Sequence, residues 1–142
     1  MRTAVRKPSV GVKTKHELLT SERMRAPAVQ QLFPDVVQLR IELDFGESRG
    51  RASPPSSQLH TLYGAAAAFF RFRCPCADCD GDFDLTEPVT ALVNSGADRN
   101  QAASSLGQYS CQGVQFRSHP ALETSCPMQL KFRLRIELKQ AA

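Results

Sequence analysis

The sequence is expected to fold as an α+β domain: a mainly antiparallel sheet with one or two helices on one face. Two observations carry most of that expectation. In VVQLRIELDF (36–45) and LKFRLRIEL (130–138), apolar and polar residues alternate with a period of two, the mark of a half-buried strand. In DLTEPVTALVNSG (84–96), Val89, Leu92 and Val93 form an i, i+3, i+4 stripe, the mark of a helix lying on a core. A third observation is that all five cysteines, at 74, 76, 79, 111 and 126, lie beyond the basic N-terminal arm.

The elements follow in order along the chain. Residues 1–30 are expected to be a basic, poorly ordered arm, with a helix-like fragment around KHELLTSERM. Residues 31–142 are expected to form a single α+β zinc-binding domain. Val37, Leu39, Ile41, Leu43 and Phe45 give the first strand one apolar face. GESRGRASPPSSQ (46–58) is Gly/Ser/Pro-rich and predicts a loop. A second strand is expected from Thr61 to Cys74, ending with Phe70, Phe72 and Cys74 on one face and Phe69, Arg71 and Arg73 on the other. In the helix that follows, Asp84 or Thr86 can cap, Glu87 suits the positive end, Pro88 is tolerated in the first turn, and Gly96 predicts a stop. ADRNQAASSLGQ (97–108) predicts another short helix. The final strand places Leu130, Phe132, Leu134, Ile136 and Leu138 on one face. LRIEL occurs at 39–43 and again at 134–138. Two strands of one sheet meeting the same amphipathic demand explain it better than a duplicated unit.

Composition bounds the function. With 142 residues the chain suits one core, and a mean hydropathy of −0.31 fits a soluble protein. No apolar run approaches the ~20 residues that cross a bilayer, and the N-terminus shows no apolar signal region, so a cytoplasmic location without membrane contact is expected. The formal charge of +4 is unevenly spread. Residues 1–25 hold seven Lys/Arg against Glu17 and Glu22, a net +5, which leaves −1 for the rest. The basicity belongs to the arm.

An odd number of cysteines with no export signal argues against a disulfide framework. Clustered thiols suit a metal: a zinc ion takes four soft or borderline ligands in a tetrahedron. Cys74-Pro75 closes a strand, and Cys79-Asp80-Gly81 puts glycine where a metal-wrapping turn is expected to need a positive φ. Downstream, Cys111-Gln112-Gly113 repeats Cys-x-Gly and Cys126-Pro127 repeats Cys-Pro. Over residues 69–83 the chain resembles a zinc-ribbon or zinc-knuckle domain, whose half-sites look like CPxxCxG after an FxF strand. The resemblance implies a structural zinc. The second half departs from it, because fourteen residues separate Cys111 from Cys126. The expected ligands are Cys74, Cys79, Cys111 and Cys126, with Cys76 as the alternative to Cys74 and His119 in reserve. Buried thiols without a metal, or an iron–sulfur or redox centre, are the competing assignments. Aspartates 78, 80, 82 and 84 alternate but fail the calcium-loop pattern, since Phe83 stands at the glycine position.

No Ser/His/Asp order, phosphate loop or HExxH appears, and PCADC lacks the HxE that a deaminase needs. The chain is therefore expected to be non-enzymatic, with no small-molecule substrate. Two roles fit. One is an interaction or scaffold module that meets a protein partner or a second copy. The other is nucleic-acid binding through the arm and a basic sheet face gathering Arg71, Arg73, Lys131, Arg133 and Arg135.

Overall fold

The computed structural model describes residues 8–47, 56–76, 79–99, 103–115 and 124–139. Its elements are α1 (Pro8–Arg25), α2 (Val29–Leu32), β1 (Val36–Glu47), β2 (Ser56–Tyr63), β3 (Arg71–Arg73), β4 (Asp82–Asp84), α3 (Thr86–Arg99), β5 (Ala103–Ser110), β6 (Val114–Gln115), β7 (Thr124–Ser125) and β8 (Met128–Leu138). A four-stranded antiparallel sheet runs β2-β1-β8-β5, beside two small hairpins, β3-β4 and β6-β7. The protein is α+β.

The two period-two segments are neighbours. Strand β1 pairs antiparallel with β8, Leu39 opposite Ile136, Arg40 opposite Arg135 and Ile41 opposite Leu134, so the two LRIEL strings lie side by side. Leu39, Ile41, Leu43 and Phe45 join Leu130, Phe132, Leu134 and Ile136 on the inner face, all buried. Fully burying a Leu, Ile or Phe side chain contributes about 2 kcal/mol, which fixes this face inward and sets the register. Helix α3 lies against β5 and β8 with Val89, Leu92 and Val93 buried. Its start is capped by the Asp84 carboxylate, which accepts from the Thr86 N–H at 2.9 Å.

Four local expectations change. The 61–74 segment is two strands, because its Gly-Ala run docks α2: Val29 N–H donates to Ala66 O at 2.8 Å and Gln30 N–H to Gly64 O at 2.9 Å. The segment predicted as a second short helix is instead divided: residues 97–99 end α3, and 103–108 lie in strand β5, paired with β8 from Ala103–Ile136 to Ser110–Gln129. There the Phe132 ring lies over Gly107, where any Cβ would collide with its Cζ; an aromatic covering a strand glycine compensates for the missing side chain. Helix α3 does not stop at Gly96, which is buried within it, but runs to Arg99.

The N-terminal stretch is the fourth. Instead of poor order throughout, residues 8–25 form α1, with Leu19 buried. Lys15 meets Asp82 at 2.9 Å, and Arg71 bridges Glu22 at 2.6 Å and Asp82 at 3.0 Å. These contacts reach a hairpin 49 to 67 residues away, and helical periodicity in α1 alone does not announce them. Burial pushes the Asp82 carboxyl up, but hydrogen bonds from Arg71 and Lys15 outweigh it and hold it below the usual carboxylate range. A carboxyl lowered on folding stabilises the fold above its unfolded pKa, and that gain is lost as pH falls through the folded value. Docking of α1 should therefore weaken as pH drops below about 4. Asp82→Asn should remove about 1 kcal/mol at neutral pH, read as faster hydrogen exchange in α1 with β1 and β8 unchanged.

Candidate metal centre

Cys74, Cys79, Cys111 and Cys126 flank strands that are held by pairing elsewhere. The β3-β4 hairpin packs on the inner sheet face through Phe72 and Phe83, the latter 5.7 Å from the Phe45 ring. Its tip carries Cys74 and Cys79. Cys111 follows β5 and Cys126 precedes β8, and the Cys111 N–H donates to Met128 O at 2.9 Å. The second pair is thus rooted in the main sheet.

The two halves repeat one bonding scheme. In the first, Gly81 N–H donates to Cys79 Sγ at 3.3 Å and Cys74 N–H donates to Gly81 O at 3.0 Å. In the second, Gly113 N–H donates to Cys111 Sγ at 3.3 Å and Cys126 N–H donates to Gly113 O at 3.2 Å. The Cys-x-Gly knuckle comes last in the first half and first in the second. That reversal explains the fourteen-residue gap: hairpin β6-β7, with Val114 opposite Ser125, brings its ends together.

The glycines permit the halves to meet. A Cβ on Gly113 would lie 2.5 Å from Gly81 Cα and 2.9 Å from Cys79 Sγ, and one on Gly81 would lie 2.5 Å from Cys111 Sγ. Neither glycine has the left-handed backbone, so the positive φ expected at Gly81 is not the reason for it. Close approach is.

The Sγ atoms of Cys74, Cys79, Cys111 and Cys126 all lie within 4.8 Å of one another, and all four residues are buried. Cys74 to Cys126 is 3.7 Å and Cys79 to Cys111 is 3.6 Å. Four sulfurs about 2.3 Å from a common centre in a tetrahedron stand about 3.8 Å apart, whereas a disulfide holds them about 2.05 Å apart. The cluster has the dimensions to hold one metal ion. Cys76 is also buried, its Sγ 3.8 Å from that of Cys126. His119 lies outside the described residues.

The sulfurs also bond to one another. The bond with Cys111 pushes the Cys74 and Cys79 thiols up, while a bond with Cys111 holds Cys126 below the usual thiol range. Thiols this close cannot all ionise unaided. A divalent cation held by these four residues would favour thiolate at each, and the Gly81 and Gly113 N–H groups, which donate to Cys79 and Cys111, would neutralise part of the remaining charge.

The residues expected to form one basic face separate into two places. Lys131, Arg133 and Arg135 are exposed on the outer face of β8, with Arg40 on β1. Arg71 and Arg73 belong to the β3-β4 hairpin, and Arg71 is tied to Glu22 and Asp82. On the outer face, sheet register makes a row of Leu59, Glu42, Arg133 and Leu106, with Asp44 opposite Lys131 in the next row. Sequence reasoning missed these rows because it had not placed β2 and β5 at the edges.

Among the described residues no helix is long and apolar enough to cross a membrane. Comparison with protein families, curated proteins and solved structures gives no match for this chain.

Proposed function

We propose that this is a small non-enzymatic protein in which a four-cysteine zinc site fixes the fold and the outer sheet face meets a protein partner or a second copy of the chain. The four buried sulfurs, all within 4.8 Å of one another with two pairs at 3.6 and 3.7 Å, carry the first part. Four protein thiolates saturate zinc and leave no open position for a substrate, the signature of a structural ion rather than a catalytic one. For the second part, the outer face supports contact with protein: Leu59 and Leu106, 53% and 72% exposed, flank a charge-balanced Glu42–Arg133 centre. Apolar residues beside paired charges suit a protein interface better than a phosphate backbone.

The purified protein is expected to carry about one zinc per chain and to be colourless. Elemental analysis without zinc, or a visible iron–thiolate band, overturns the assignment. Sedimentation should show a concentration-dependent dimer or a partner complex that Leu106→Lys disrupts. Retention on nucleic acid that falls steeply with salt, with no such complex, favours the nucleic-acid alternative.

A further inference from the structure

A cleft of about 250 Å³ opens between α1, β2 and β3, away from the outer sheet face. Helix α1 supplies His16 and Arg23 to it, β2 supplies His60, and β3 supplies Arg71 and Arg73. Three guanidinium groups and two imidazoles line the cleft, and among the described residues no carboxylate does.

The cations differ in what holds them. Arg71 is engaged by Asp82 and Glu22 and serves as a wall. Arg23 and Arg73 meet no carboxylate among the described residues: the Arg23 guanidinium lies 5.5 Å over the Phe69 ring, and Arg73 donates to His16 Nδ1 at 2.9 Å. An arginine can only donate, so Nδ1 is the acceptor and His16 carries its proton on Nε2. That Nε2 is buried and has no partner among the described residues. Burial and then Arg73 hold His16 below the ordinary imidazole range, and burial and then Arg23 do the same for His60. The cleft therefore carries two guanidinium groups, those of Arg23 and Arg73, that no carboxylate among the described residues compensates.

We infer that this cleft binds a phosphate-type oxyanion, between Arg23 on α1 and Arg73 on β3. A tetrahedral anion presents oxygens toward both walls at once, whereas a carboxylate offers two oxygens in one plane. The volume admits a phosphate group with a small ester or one backbone linkage. The site stands independently of the zinc and interface proposals.

The test uses the full-length, metal-loaded protein and inorganic phosphate, with chloride balancing ionic strength. Proton NMR of the imidazole signals reads the site directly, because an anion beside His16 and His60 favours their charged forms. Phosphate is expected to bind saturably and raise the titration midpoints of both histidines. Arg23→Gln, which leaves the Arg73–His16 bond intact, should weaken binding about tenfold, and Arg73→Gln should do likewise. Arg40→Gln, on the outer face, should change nothing. Phosphate acting no differently from chloride overturns the inference, as does acetate matching phosphate or Arg23→Gln binding like the unaltered protein. Displacement of phosphate by a single-stranded oligonucleotide assigns the anion to a nucleic-acid backbone; binding without such competition assigns it to a small phosphate ester.

Discussion

Cys126→Ser is expected to lower stability by roughly 4 kcal/mol or more in zinc-replete buffer, the range reserved for loss of a metal or a buried network. Cys126 joins the start of β8 to the tip of the β3-β4 hairpin, its Sγ 3.7 Å from that of Cys74. Removing one thiolate from a closed tetrahedral set removes metal-binding energy, which in a domain of this size is folding energy. Cys79→Ser and Cys111→Ser should behave alike. Cys76→Ser should cost less than about 2 kcal/mol, since it only exchanges one buried weak donor for another. Urea denaturation of the four variants decides the matter. A strong chelator should bring the unaltered protein down to the level of Cys126→Ser and leave that variant where it was. Small, equal losses across all four, insensitive to chelation, would dissolve the metal site as an organising element.

Gly113→Ala is expected to weaken metal affinity by about 10- to 100-fold with every thiol still present, the scale on which supporting groups around a ligand act. The added methyl has no space: Gly81 backbone atoms stand 2.5 Å from where it would sit, and Cys79 Sγ stands 2.9 Å away. The two knuckles must part to admit it, and parting them spreads the sulfurs beyond tetrahedral reach. Gly81→Ala acts from the other side, against Cys111 Sγ. Competition against a chromophoric chelator measures the change, and cobalt substitution shows whether the residual site stays tetrahedral. Affinity within twofold of the unaltered protein contradicts the close-approach argument.

The inner face of the sheet, the stripe of α3 and the grouping of the cysteines were legible from residue order alone, although the choice between Cys74 and Cys76 was not. In each case a local pattern coincides with a large burial free energy. The alternation of Leu39, Ile41 and Leu43 admits only one way of burying three side chains, and Val89, Leu92 and Val93 admit only a helix. The Cys-x-Gly and Cys-Pro repeats likewise marked both half-sites before their geometry was known. Long-range contacts settled the remainder, wherever local preference was weak or ambiguous. Ala103–Ser110 is strand because it pairs along β8, where the Phe132 ring covers Gly107. Helix α1 is held by Asp82 and Arg71, residues of the β3-β4 hairpin that lie 49 or more positions from their partners in the helix. Cys111 and Cys126 form a half-site because β6 and β7 pair between them. Burial patterns are written residue by residue along a chain, whereas an ion pair or a shared sulfur cage exists only when distant segments arrive together.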